Sequence, residues 1–326
     1  MRNIRYLKVA DEAAAVAAGS QDEAAFIAGG TTMVDLMKLE VMAPGILVDV
    51  NGLDLDKIEV RPDGVRIGAM VRNSDLAYHP EVAKRYPLVA EAILAGASAQ
   101  IRNMASVGGN LLQRTRCPYF RDRATACNKR EPGSGCSALT GYSRNHAILG
   151  TSEHCIAVHP SDMCVAMAAL NAVVHVRGAS GERQIPFGDF HLLPGDRPER
   201  ETILERGELV TAVSLPAMTG FTQGHYVKVR DRASYAFALV SAAAALRIEG
   251  GRIRDARVAL GGVGTKPWRS LAAEKALAGQ APSRTAYAEA ARAAMADARP
   301  RKHNTFKVEL AQRAIVRALE STRGAA

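Results

Sequence analysis

The sequence predicts an α+β fold divided into at least two domains, and three observations carry that reading. Short strand patterns mixed with helical ones fill the first two thirds of the chain, and near residue 218 the pattern changes. Beyond that point three consecutive strand patterns are followed by three helical ones, a βββ-ααα block with a linker near 216–220. With 326 residues and 48% hydrophobic content, the chain can bury two or three cores, and 23% charged residues argue against disorder.

Each element has its own local signal. Asp11 is placed to cap a short Ala-rich helix through Ala17, with Gly19 placed to end it. Residues 26–32 begin as a strand and turn on two glycines. Residues 33–39 read as a helix with Met33, Leu36 and Met37 on one side, and 46–50 as a short buried strand. Residues 58–60 and 65–67 read as a hairpin across Pro62-Asp63-Gly64. Residues 74–101 are helical with interruptions at Pro80 and Pro87. Residues 102–150 are polar, Gly-rich and irregular, and a loop of that length is functional or disordered. A helix over 162–170 and strands over 172–177 and 208–215 complete the first domain. The C-terminal strands fall at 224–229, 238–248 and 253–260. The helices fall at 270–277, 284–296 and 307–319, the last with Val308, Ala311, Ile315 and Leu319 on one face.

The formal net charge of +9 suits an anionic ligand, an acidic partner or nucleic acid. No run of five or six Lys/Arg and no interleaved aromatics favour nucleic acid. No apolar segment approaches the length of a membrane span, and the N-terminus has no apolar signal core. The expectation is a chain without an export address of its own.

Four short motifs suggest ligand chemistry. Ala28-Gly29-Gly30-Thr31-Thr32 enters a helix, where glycines let backbone N–H groups approach a phosphate and the Thr hydroxyls add donors. It matches neither established phosphate-loop pattern, and a plain strand–helix turn competes with this reading. Ser106-Val107-Gly108-Gly109-Asn110 is a second small-residue turn suited to a backbone-lined anion site, and two such loops suit a dinucleotide. His159-Pro160-Ser161-Asp162 opens a helix, so that Ser161 or Asp162 either caps it or, for Asp162, accepts from a ligand's hydroxyls. Lys228 and Arg232 could place a cation by the pyrimidine edge of a flavin, or form a solvated pair at a strand end.

All five cysteines fall between Cys117 and Cys164. Cys117, Cys127, Cys136 and Cys155 follow C-x9-C-x8-C-x18-C on a polar loop with little apolar content. Four thiolates so placed can wrap one four-iron cluster. Zinc is the weaker reading because paired knuckles are absent, and free thiols or disulfides remain the other alternative. Arg116, Arg121, Lys129 and Arg130 would offset the cluster's negative charge. Cys164 lies on an apolar helix and reads as a core thiol. The eight histidines are scattered and read as structural, and no nucleophile–base set appears, so no catalytic residue is assigned. The chain reads as an electron carrier.

Together FIAGGTTMVDLM (26–37), SVGGN (106–110), HPSDMCVAMA (159–168) and KVRDRASYA (228–236) resemble, in order and over nearly the whole chain, the FAD-binding medium subunits of the xanthine dehydrogenase (molybdenum hydroxylase) family. The cysteine insert, RTRCPYFRD (114–122) and CNKREPGSGC (127–136), is similar to the periplasmic aldehyde oxidoreductase type within it. Typical members lack that insert.

The resemblance implies a two-lobed vanillyl-alcohol-oxidase-like (PCMH-type) FAD-binding domain over 1–218, with lobes of about 1–57 and 58–218 and an insert at about 114–156. A β3α3 domain of the CO dehydrogenase flavoprotein type follows over 219–326. By position, Phe26, Ile27, Ala28, Gly29, Gly30, Thr31, Thr32, Met33 and Val34 would embrace the FAD diphosphate. Ser106, Gly108, Gly109 and Asn110 would continue the cradle, and Asp162 would bind the cofactor's polar linker. Val210 lies where the family packs an apolar residue on the flavin, and Lys228 would approach the isoalloxazine. Cys117, Cys127, Cys136 and Cys155 would hold a [4Fe-4S] cluster. The implied partners are a molybdopterin-binding large subunit and a small subunit with [2Fe-2S] clusters. Electrons would pass from them through this chain's FAD to an external acceptor. Export to the periplasm would be by co-transport with a signal-bearing partner, the alternative being a cytoplasmic complex. Rival readings are a xanthine dehydrogenase or hydroxybenzoyl-CoA reductase flavin subunit and, from another class, an iron–sulfur nucleic-acid-binding protein without flavin.

Overall fold

The computed structural model describes residues 3–222 and 224–322. Strands β1 (Arg5–Lys8), β2 (Ala24–Ile27) and β3 (Ile46–Asp49) form a parallel sheet in the order β1–β3–β2. Parallel strands need crossovers, and the helices Glu12–Gly19 and Met33–Lys38 supply them. Asp11 caps the first helix by accepting the Ala14 N–H at 2.8 Å. That helix continues through Gly19 rather than ending before it. Gly19 is there for space, since a Cβ would lie 2.3 Å from the Phe26 ring. Nothing in the hydropathy of Arg5–Lys8 announces β1, because this edge strand is mostly exposed.

The second sheet is antiparallel: β4 (Ile58–Arg61), β5 (Gly64–Gly68), β6 (Val173–Gly178), β7 (Gly181–Pro186) and β8 (Leu209–Pro216), in the order β4–β5–β8–β6–β7. Between β5 and β6 the chain leaves the sheet. Helices Asn73–Tyr78, Pro80–Arg85 and Pro87–Ala95 follow one another. Pro80 and Pro87 start helices rather than break one, because the first turn needs no proline N–H. The helix Asp162–Ala169 packs against Pro87–Ala95, and Ile67, Leu76, Leu88, Val174 and Val213 centre the core.

The C-terminal domain pairs β9 (His225–Val229), β10 (Val240–Glu249), β11 (Arg252–Gly261) and the two-residue β12 (Trp268–Arg269) in the order β12–β11–β10–β9. Helices Leu271–Leu277, Arg284–Ala294 and Phe306–Ser321 follow. Alternate residues of β10 face opposite cores: Val240, Ala242, Ala244 and Leu246 meet these helices, while Ala243 meets the first domain. A strand covered on both faces and packed close explains the run of alanines. The final helix buries Ala311, Ala314, Ile315, Ala318 and Leu319, with Val308 at the margin.

The long irregular region is not held only by polar groups. Ile148 and Leu149 are inserted in the C-terminal core, and their N–H groups donate to Val263 O at 2.8 and 2.9 Å. Phe120 and Ile156 are wholly buried beside the cysteines. Each such side chain contributes roughly 1.5–3 kcal/mol of apolar burial. Among the described residues, no helix is long and apolar enough to cross a membrane.

Candidate functional site

A cleft of about 610 Å³ is lined by all three parts of the chain: Thr31 and Thr32 from the first lobe, Asn110 and Asp162 from the second, Lys228 from the C-terminal domain. A second cavity of about 280 Å³ continues it, sharing Thr31, Thr32 and Gly109. Phe26, Ala28, Gly29, Gly30, Thr31, Thr32 and Met33 line the smaller part together with Ser106, Gly108, Gly109 and Val210. Ile27 and Val34 line neither part. Ile27 is paired with Asp49 inside the sheet, and Val34, past the turn, is 38% exposed.

The two glycine loops differ in what they offer a ligand. Among the described residues, the N–H groups of Gly29, Gly30, Thr31 and Thr32 donate to no protein acceptor. Gly30 has φ +72°, and a Cβ on Gly29 would lie 1.8 Å from Met104 O. This loop therefore presents unused backbone donors at close approach, which is what an anion site requires. The SVGGN turn lines the cavity, with its backbone donors engaged within the protein. Val107 N donates to Val71 O, Gly108 N to Ala69 O, Gly109 N to Ser106 Oγ and Asn110 N to Ser106 O. Its glycines serve close packing, since a Gly108 Cβ would meet the Ala69 Cβ at 3.0 Å. Asn110 Oδ1 accepts from Ser161 Oγ and Gln113 Nε2, both at 2.6 Å, which fixes the amide plane.

Ser161, not Asp162, caps the helix Asp162–Ala169, by accepting the Cys164 N–H at 3.0 Å. Asp162 is left to bond elsewhere. Its Oδ1 accepts from Tyr226 Oη at 2.6 Å and its Oδ2 from Lys228 Nζ at 2.8 Å. Lys228 also donates to Ala95 O at 3.0 Å, so one N–H of the ammonium remains. Burial, and then the Asp162 charge, holds the Tyr226 phenol well above its usual range. The pair Lys228/Arg232 is not a unit: Lys228 is buried in β9, while Arg232 donates to Tyr235 O in an exposed loop.

Sequence reading missed Asp35 as a cleft residue. It accepts from Arg116 Nη1 at 2.7 Å and from Arg121 Nη1 and Nη2 at 2.8 and 3.0 Å. Hydrogen bonding to Arg121 holds its carboxyl below the usual range despite partial burial. Asp35, Arg116 and Arg121 all line the larger cleft. Both guanidinium groups thus lie on the cleft wall. Arg130 ties the loop backbone through Tyr119 O and Phe120 O, and the Lys129 charge acts on the Cys155 thiol. The available signal was the position of Arg116 and Arg121 within four residues of Cys117.

Cys117, Cys127, Cys136 and Cys155 do come together around one small enclosed space, with Cys127 and Cys136 bridged backbone to backbone. Backbone N–H groups point at the sulfurs: Tyr119 and Phe120 at Cys117, Ala138 and Leu139 at Cys136, and Ala157 at Cys155 at 3.4 Å. His146 Nε2 lies 3.1 Å from Cys117 Sγ. Burial pushes the Cys117 thiol up to about 12, with the Cys127 and Cys155 thiols adding to it.

Among the described residues, the sole trio of candidate ligand atoms lying within 4.8 Å of one another is His159, Cys164 and His191. The His159 trio is no ligand set. His159 Nδ1 accepts the Ser161 N–H at 3.4 Å, and His191 Nε2 donates to Leu111 O at 2.9 Å. Those partners assign the tautomers. His159 then presents an N–H and His191 a lone pair, beside a Cys164 thiol that burial pushes up to about 12.

Residues 2–218 match the profile of the FAD binding domain in molybdopterin dehydrogenase, and residues 225–322 that of the CO dehydrogenase flavoprotein C-terminal domain. The chain is 53% identical over 317 residues to the aldehyde oxidoreductase FAD-binding subunit PaoB of Escherichia coli, covering 96% of each. It is 29% identical to the glyceraldehyde dehydrogenase medium chain of Sulfolobus acidocaldarius, over 78% of this chain and 73% of that one. A solved carbon monoxide dehydrogenase from Hydrogenophaga pseudoflava superposes with a TM-score of 0.78 at 26% identity, covering 99% of this chain and 98% of that one. The chain belongs to the FAD-binding medium subunits of the molybdopterin dehydrogenases, FAD-dependent oxidoreductases of the molybdenum hydroxylase family.

Proposed function

We propose that this chain is the electron-transfer subunit of a molybdenum-containing aldehyde oxidoreductase, holding FAD in the cleft and a [4Fe-4S] cluster in the four-cysteine cage. One observation supports it: in segment 116–121, Arg116 and Arg121 line the cleft while Cys117, Tyr119 and Phe120 line the four-cysteine cage, which would set two redox groups side by side. The 53% identity to an aldehyde oxidoreductase subunit supports the reaction class.

Bound FAD supplies a group that accepts electrons singly and releases them in pairs. This chain's residues bind and orient it. The unpartnered N–H groups of Gly29, Gly30, Thr31 and Thr32 would hold the diphosphate, and Val210 would offer an apolar wall. Asp162 and the remaining Lys228 N–H address the polar part of the cofactor, with Tyr226 holding the carboxylate in place. At the cage, soft thiolates with converging N–H donors suit iron, and metal binding would deprotonate thiols that burial otherwise keeps neutral.

The partners in this reading are a molybdopterin-binding large subunit and a [2Fe-2S] small subunit, toward whose acidic surfaces a chain of charge +9 would be steered. Its periplasmic location by co-export rests on the resemblance of the cysteine insert, and recovery of the assembled complex from the cytoplasm alone would overturn it. The test of function is the visible spectrum and iron content of the chain purified with its partners and then separated. Structured flavin bands with a broad cluster shoulder and about four irons per chain support the reading. Flavin without iron, or iron without flavin, defeats one half of it.

A further inference from the structure

We propose that the cysteine loop delivers a pair of cations, Arg116 and Arg121, to the FAD cleft, so that cluster assembly and FAD binding are thermodynamically coupled. This rests on the cofactor assignments above and adds a dependence between them.

Arg116 precedes Cys117, and Cys117 caps the single-turn helix Pro118–Arg121, which ends on Arg121. Arg121 N donates to Cys117 O at 3.2 Å. The cysteine and both arginines therefore share one turn of backbone, so what places the Cys117 sulfur also places the Cα atoms from which the two guanidinium groups reach out. Both reach across to Asp35 at 2.7–3.0 Å, one turn beyond Thr32 on the helix that follows the phosphate-type loop. Two cations share one carboxylate, which leaves an excess positive charge on the wall that Thr31 and Thr32 also line.

Arg116 Nε is buried and has no partner in the protein, an orphaned donor that an anionic ligand or its water would satisfy. The Phe237 ring lies 5.3 Å from the Arg116 guanidinium and backs it from the C-terminal domain. The chemistry recognised is anionic, and the anionic part of FAD is its diphosphate. Guanidinium forks suit phosphate oxygens. With the cage filled, the pair is held in place before FAD arrives. With the cage empty, ordering the loop must be paid by FAD binding, and the affinity falls. Linkage makes the effect reciprocal: FAD must tighten iron retention by the same factor.

The test uses the assembled complex, stripped of FAD and titrated with FAD while bound flavin and iron per chain are read. Cys127→Ser should lose iron and bind FAD about tenfold or more weakly. Arg121→Gln should keep its iron and bind FAD several-fold more weakly, with Arg121→Lys in between. If Cys127→Ser fails to assemble, removing iron from the wild-type complex with an oxidant and chelator makes the same comparison. Unchanged FAD affinity in the iron-free complex, or in iron-replete Arg121→Gln, overturns the coupling while leaving both cofactor assignments standing. An iron-free wild-type chain overturns the cage assignment and the coupling with it.

Discussion

Lys228 Nζ donates to Asp162 Oδ2 at 2.8 Å, and the two side chains are only 4% and 9% exposed. The pair joins β9 of the C-terminal domain to the helix Asp162–Ala169 of the first, at the floor of the cleft. Removing one partner strands the other charge, which in a buried pair costs about 3–5 kcal/mol. Lys228→Met should therefore lower the urea midpoint and release FAD. Adding Asp162→Asn should recover most of the midpoint, since no charge is then stranded, without recovering flavin. A double variant as unstable as the single one would show that the pair's worth is not electrostatic.

Gly30→Val should lose most of its FAD. Its φ of +72° disfavours any Cβ, and the Cβ would press on Val34 Cγ2 at 3.2 Å, so the open amides must move. Gly279→Val is the control for backbone strain alone, because Gly279 has φ +77° with nothing within 4 Å of a Cβ and lies in the C-terminal domain. Both variants should lose stability, and only the first should lose flavin content at equal folded protein. Full flavin in Gly30→Val would remove this loop from the phosphate site.

The α+β layout is legible because strand and helix periodicities are strong wherever a face is buried, as in β3, β8 and the helix Phe306–Ser321. β1 and β7 escape notice because edge strands such as Arg5–Lys8 and Gly181–Pro186 carry polar residues. In the site, the Ala28–Thr32 loop is legible because paired glycines before a helix are uncommon. The SVGGN turn carries the same signal and lines the same cleft, and its hydrogen-bond partners, Val71 and Ala69, show that its amides are already engaged by the protein. Asp35 and its two arginines are invisible to local reading because the contact joins positions 35 and 116–121, and no short motif spans that distance.

Stability should fall as pH drops from about 6.5 toward 4, in part through His191. Burial first, and then the Lys266 charge, pushes this imidazole down to about 4. A histidine whose folded value is depressed binds its proton more readily when unfolded. It contributes nothing above its ordinary value of about 6.5 and destabilises progressively below it, levelling off near 4. His191→Gln should flatten that acid-side slope by up to one proton per chain, read from unfolding free energies at several pH values. An unchanged slope would place the proton uptake elsewhere.

The last expectation separates the four caged cysteines from the fifth. Cys127→Ser replaces a soft thiolate with a hard, poorly ionised hydroxyl and should abolish iron binding. The loop's disorder should then be limited. Its far end is locked by Ile148 and Leu149 in the C-terminal core and by Lys307, whose buried Nζ donates to His146 O at 3.0 Å. Hydrogen exchange should rise over about 116–142 and not over 146–149, and docking of the partner subunits should weaken. Cys164 lies on the apolar helix Asp162–Ala169, wholly buried, with its sulfur 4.0 Å from Asn110 O. Cys164→Ser should keep its iron and lose about 1–2 kcal/mol through a buried hydroxyl. Iron per chain in the two variants decides the matter: normal iron in Cys127→Ser, or lost iron in Cys164→Ser, means the ligand set is wrong.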